Sequence, residues 1–185
     1  NVKLKELLKT IKPQPYSLFY CGDGRVQITE DEEKRQIESV TKIANKFKWS
    51  PTHFTANENT RDREKIIKEF KNETIKSLIA IRCLDQGVDI PSCKTAFLLA
   101  STSNPRQFIQ RRGRILRKSP GKDFATIYDF MVFVPPKDYI DDTDKRLLKK
   151  ELKRVVEFSK LSLNYNKTQL KLEKLAIKYD LEMYL

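Results

Sequence analysis

Four short apolar runs, almost free of polar interruption, constrain the fold more than any other feature of this chain. They are Ser17-Leu18-Phe19-Tyr20-Cys21, Ser77-Leu78-Ile79-Ala80-Ile81, Thr95-Ala96-Phe97-Leu98-Leu99-Ala100 and Ala125-Thr126-Ile127-Tyr128-Asp129-Phe130. A strand wetted on one face alternates apolar and polar residues, so runs like these belong to strands buried on both faces. Between them lie segments with helical spacing. Thr29 and Glu32 form a capping box ahead of Ile37, Val40, Ile43, Ala44 and Phe47. A second helix is predicted over residues 60–70, with Ile66, Ile67 and Phe70 on one side, after a weaker strand signal over residues 52–55. Pro105 opens a third helix, where its missing N–H costs nothing, and that helix is predicted to run to about Arg117. Strands interleaved with helices in this way predict an α/β fold: a parallel sheet sandwiched by helices.

The pattern changes after Val134-Pro135-Pro136. From Asp141 onward the chain is rich in Lys, Glu and Leu and lacks Gly and Pro. Leu147, Leu148, Leu152, Val155, Val156, Phe158 and Ser159 mark one amphipathic segment. Leu170, Leu172, Leu175, Ala176 and Tyr179 mark another, with the break near Asn164-Tyr165-Asn166. Residues 1–134 are therefore read as one sheet domain and residues 135–185 as a helical extension that packs on it or docks a further subunit. The length of 185 residues suits one domain with such an appendage. The chain starts at Asn1, directly before an amphipathic segment over residues 2–11, which leads us to expect a piece of a longer protein.

Charge narrows the partners. The formal net charge is +12 and the pI about 9.6, which favours a polyanion: nucleic acid first, an anionic membrane surface second. No apolar stretch approaches the roughly 18 residues of a membrane span, so no membrane is expected. Cys21, Cys83 and Cys93 are an odd set without metal-ligand spacing. They read as free thiols in a reducing cytoplasm, and no metal site is expected.

The basic excess is concentrated. Between positions 106 and 122 stand Arg106, Arg111, Arg112, Arg114, Arg117, Lys118 and Lys122, without one acid. At about 100° per residue, Phe108, Ile109, Ile115 and Leu116 gather on one side of the helix. Gln110, Arg114 and Arg117, at i, i+4 and i+7, gather on the other. Two guanidiniums and an amide on an apolar-backed helix suit phosphate oxygens, because Arg is always charged and bonds in bidentate fashion. About twenty residues earlier, the strand ending at Ile81 runs into Arg82-Cys83-Leu84-Asp85-Gln86-Gly87-Val88-Asp89. There Gly87 allows close backbone approach to a ligand, and Asp89 is an acceptor fit for a ribose diol.

Taken together, these segments resemble the C-terminal RecA-like domain of superfamily 2 helicases of the DEAD/DEAH type. The likeness is nearest the type III restriction-subunit and XPB-like branch. Residues 79–91 resemble motif V, residues 110–117 motif VI, and residues 17–22 the motif IV strand. His53-Phe54-Thr55-Ala56, Arg63 and Phe70 fit the strand and helix that follow motif IV. The resemblance covers roughly residues 14–134. It implies that Arg114 and Arg117 act as arginine fingers on ATP, with Gln110 beside them, Gly87 near the phosphates and Asp89 on the ribose. It further implies that Gly22, Arg82, Cys83 and Arg111 face nucleic acid, DNA before RNA. Such a finger is worth about 10³–10⁵ in rate. Two departures stand out: Arg112 falls on the apolar side, where a pairing with Asp89 or Asp129 is expected, and the turn Gly22-Asp23-Gly24-Arg25 is unusually rich in Gly.

A complete motor also needs a G-x-x-x-x-G-K-[ST] loop, and the five glycines, Gly22, Gly24, Gly87, Gly113 and Gly121, cannot form one. Nor does a Mg²⁺-binding acidic motif end a strand. Asp31-Glu32-Glu33 sits where acids favour the positive end of a helix dipole. ATP and Mg²⁺ are therefore expected to be held mainly by a first RecA-like domain, and this chain alone is expected to be inactive. The competing reading is an ATP-independent module that binds nucleic acid or docks a subunit. His53 is expected to pack or face solvent rather than react, and Trp49 to lie in the core unless it stacks on a base.

Overall fold

The computed structural model describes residues 2–21, 30–55, 58–81, 90, 93–99, 105–132 and 141–182. In chain order the elements are α1 (Val2–Thr10), β1 (Ser17–Cys21), α2 (Glu30–Lys46), β2 (Thr52–Phe54), α3 (Thr60–Lys71), β3 (Ser77–Ile81), β4 (Thr95–Leu98), α4 (Pro105–Ile115), β5 (Thr126–Asp129), α5 (Asp142–Ser159) and α6 (Tyr165–Lys178). The chain divides into two compact units. One comprises Asn1–Thr102 with Gln110–Phe130, the other Ser103–Ile109 with Met131–Leu185.

All five strands pair in parallel, in the order β2-β3-β1-β4-β5. Every residue of β1, β3 and β4 is buried, as the lack of alternation in their sequences requires. One face carries Phe19, Cys21, Ile79, Ile81 and Phe97, packed with Leu4 and Leu8 of α1 and Val40 and Ala44 of α2. Residues of the other parity, Leu18, Tyr20, Leu78, Ala80 and Ala96, are equally buried on the opposite face.

Register turns three rings into a ladder. Phe19 pairs with Phe97, and Phe97 with Tyr128. The rings stack with centroids 4.5 and 5.1 Å apart and planes tilted by only 10° and 8°. Trp49, from the turn after α2, meets Phe19 and Phe97 edge-on at 5.6 and 5.3 Å. It is 2% exposed, so base stacking by this residue is ruled out. Its Nε1–H is buried with no hydrogen-bond partner among the described residues.

Tyr16 fastens the start of the sheet. Its φ is +58°, its carbonyl accepts from the amides of Lys94 and Thr95, and its hydroxyl donates toward the Lys71 carbonyl and Glu73 Oε1 at 3.2 and 3.0 Å. The hydrogen bond to that carboxylate raises the Tyr16 pKa. α3 is capped by Asn59, whose Oδ1 accepts from the Asp62 amide at 2.9 Å.

The second unit holds the helical hairpin. Leu148, Leu152, Val155, Leu172, Ala176, Tyr179 and Leu181 form its core. Leu147 and Leu170, expected there from their spacing, are 40% and 60% exposed. Leu170 projects about 160° from Leu172, on the far side of α6 from its buried line. Glu151 and Arg154 are buried among the leucines. Arg154 Nη2 donates to Glu151 Oε2 at 3.0 Å, and the same oxygen accepts from the Val132 amide at 3.2 Å. No helix among the described residues is long and apolar enough to cross a membrane.

Candidate functional site

In an open parallel sheet, ligands sit beyond the carboxyl ends of the strands, near the point where strand order reverses. That point is β1, whose neighbours are β3 and β4. Cys21 and Ile81, the last residues of β1 and β3, are paired in register. Gly22, Arg82, Cys83, Gly87 and Asp89 follow these strands in sequence and lie outside the described residues. So does Thr29 of the capping box. Acids at the start of α2 do occupy the first helical turn.

The basic helix is the described part of the site, and it is seated differently from its expected projection. Ile115 is 1% exposed, but Ile109 and Leu116 are 44% and 43% exposed. The apolar side does not act as one anchored back. The buried line runs through Ile115, with half-buried Arg112 about 60° to one side and half-buried Arg114 about 100° to the other. One isoleucine, rather than a stripe of four residues, seats the described part of the helix. Gln110 and Arg117 are exposed. The side chains of Phe108 and Arg111 lie outside the description.

The helix also ends earlier than expected. α4 stops at Ile115, with one further helical bond from the Leu116 amide to the Arg112 carbonyl at 2.8 Å. Arg117 therefore stands beyond the regular helix. Its backbone is held by Lys122, whose Nζ donates to the Arg117 carbonyl at 2.9 Å and also to the Ile115 carbonyl. Lys122 is 8% exposed. It belongs to the acid-free basic run but not to its surface. Gly121, at φ +70°, makes the turn that brings Lys122 back, and the Lys122 amide donates to the Ser119 carbonyl at 3.1 Å. Sequence reasoning missed this; the signal was the Pro-Gly turn followed at once by a lysine, just after a helix end.

Other expected residues take structural parts. His53 Nε2 lies 3.0 Å from Thr41 Oγ1, and that hydroxyl already donates to the Ile37 carbonyl at 2.7 Å. The imidazole therefore donates, as an Nε2–H tautomer. Arg63 Nη2 donates to the Thr55 carbonyl at 2.9 Å, tying α3 to the end of β2. Cys21 and Cys93 are buried free thiols, and burial pushes both up to about 12. At neutral pH they are protonated and unreactive.

A model of the helicase conserved C-terminal domain matches residues 16–119, more than half of the chain. This protein belongs to that family. The DNA 3'-5' translocase XPB2 of Sulfurisphaera tokodaii is 39% identical to this helicase C-terminal domain over 57 residues. The match covers 31% of this chain and 13% of that relative, so the domain spans a small part of the relative's length. Three solved structures share the fold. The RNA-helicase Prp28 from Chaetomium thermophilum bound to ADP gives a TM-score of 0.56 at 19% identity, over 87% of this chain and 34% of that one. The C-terminal part of the Fun30 ATPase domain gives 0.52 at 17% identity, over 79% and 43%. The C-terminal domain of the DEAD-box protein Dbp5 gives 0.50 at 18%, over 83% and 77%. The sheet is thus the RecA-like sheet of a superfamily 2 helicase C-terminal domain, followed by C-terminal helices.

Proposed function

We propose that this domain is the second motor domain of an ATP-driven helicase or translocase, and that it supplies the arginine side of the ATP site. The carrying observation is the acid-free basic segment: α4 exposes Gln110 and keeps Arg114 at the edge of its buried line, and Arg117 is exposed just past its end. Guanidiniums placed there neutralise charge that builds on the transferring phosphoryl oxygens. Gln110 lies beside them, with Gly87 near the phosphates and Asp89 on the ribose. Gly22, Arg82, Cys83 and Arg111 contact the nucleic-acid backbone. The residues present fit half of an ATP site: they offer cationic and diol-binding groups but no phosphate-cradling loop. ATP and Mg²⁺ are then held mainly by a first RecA-like domain, and the bound nucleotide supplies the phosphoryl group. DNA is the favoured track, supported by the name of the XPB2 relative.

The test is made on the full-length protein that carries the P-loop domain. Arg114→Ala and Arg117→Ala are each expected to lower nucleic-acid-stimulated ATP turnover by about 10³-fold or more, with ATP affinity little changed. Near-normal turnover in both variants overturns the arginine-finger reading.

A further inference from the structure

A helix leaves its last four carbonyls without intrahelical partners, and they are commonly satisfied by a glycine in the left-handed region just past the end. α4 has no such glycine. Its last turn is followed by Leu116, Arg117 and Lys118, and the carbonyls of Ile115 and Arg117 are met instead by the side chain of Lys122. An ammonium is suited to this place, because it carries three donors and its charge complements the negative end of the helix dipole. Taking it out of water is costly, yet Lys122 is 8% exposed. The turn that delivers it, with Gly121 at φ +70° and the Ser119–Lys122 bridge, is built rather than loose.

We propose that Lys122 is a positioning residue for the arginine pair. By gripping the Arg117 carbonyl together with the Ile115 carbonyl, it fixes the direction in which Arg117 leaves a helix that has already ended. Arg114 lies within the helix, whereas Arg117 follows its end, where Lys122 ties its carbonyl back to that of Ile115. The inference rests on the arginine-finger reading above. A misplacement of about 1 Å in a catalytic group costs about 10²-fold in rate, so loss of the clamp falls on turnover rather than on nucleotide binding.

The experiment is a double-mutant cycle in the full-length motor, with Lys122→Met and Arg117→Ala singly and together, under conditions where circular dichroism shows every variant folded. The Lys122→Met variant is expected to lose about 10–10²-fold in kcat with the KM for ATP nearly unchanged. In the Arg117→Ala background it should cost almost nothing, since there is no longer a guanidinium to aim. An equal loss in both backgrounds, or a loss only in KM, overturns the proposal. If Lys122→Met does not fold, Lys122→Arg repeats the cycle, with a several-fold loss expected in the wild-type background alone. Should Arg117→Ala itself leave turnover intact, Arg117 is no finger and the clamp's role fails with it, while Arg114→Ala still tests the remaining finger. A damaging Arg117→Ala beside a silent Lys122→Met rejects the clamp alone.

Discussion

The sheet buries a ladder of rings, whereas the helical hairpin buries leucines around an ion pair. In the sheet, parallel register stacks Phe19, Phe97 and Tyr128, and Trp49 closes the edge of the stack. Each ring brings 150–250 Å² of surface, roughly, and a preferred geometry. In the hairpin the core is smaller, and Glu151 and Arg154 sit inside it at side-chain exposures of 6% and 4%. An apolar core of rings is strong because of what it removes from water. A buried ion pair contributes little net stability but punishes the loss of either member. The two regions should therefore respond to opposite kinds of substitution.

The largest effect is expected at Phe97, which touches three other rings. Phe97→Ala should destabilise the sheet by about 4 kcal/mol, read as a lower urea midpoint of Trp49 fluorescence. A loss below about 1 kcal/mol would mean that the ladder is ornamental. Next comes Arg154→Met, which takes the guanidinium away from the buried Glu151 carboxylate and should cost about 3 kcal/mol, followed by far-UV circular dichroism of the helices. Adding Glu151→Leu to it should recover most of that loss. If the double variant is no better than the single, the pair is more than a self-compensating insertion.

Alkaline pH probes the buried thiols of the sheet. Cys21 and Cys93 have folded pKa values pushed up to about 12, above the ordinary thiol value of 9.0. Below pH 9 both states keep the protons and the full contribution is present. As pH rises past 9 the unfolded thiols ionise first, so stability falls by about 1.4 kcal/mol per pH unit per thiol until the folded pKa is reached. Cys93→Ala should remove roughly half of that slope between pH 9 and 11, measured as urea midpoints. An unchanged slope would show that the thiols are not held neutral by burial. The smallest effect belongs to the hairpin cap: Asp141 Oδ1 accepts from the amides of Thr143 and Asp144, both at 2.8 Å. Asp141→Ala should cost about 1 kcal/mol and lower helicity at the start of α5.

Legibility in the sequence also differed between the regions. The strands β1, β3 and β4 were readable because burial on both faces removes alternation, whereas β5, from a similar run, is exposed or half-buried along its length, and Pro105 marked the start of α4 correctly. The seating of α4 was not readable. A projection gives every apolar residue equal weight, while the fold uses Ile115 and leaves Ile109 and Leu116 exposed. Lys122 looked like one more cation in a basic run, because composition cannot show which lysine turns inward. In the hairpin, Glu151 and Arg154 at i, i+3 look like an ordinary surface pair, and only the fold shows that both are buried, with the Val132 amide donating to the carboxylate. Gln110, Arg114 and Arg117 were expected on one helical face, but the helix ends at Ile115 and Arg117 follows it.

Trp49 is the single tryptophan of the chain, and its burial against Phe19 and Phe97 makes it a local optical gauge. Its emission should be blue-shifted in the native state and move to longer wavelength only when the ring ladder opens. Because the hairpin contains no indole, it can melt in silence by this measure. A denaturation curve followed by fluorescence thus reports the RecA-like sheet, and the gap between that curve and a helix-sensitive signal measures how independently the two regions unfold.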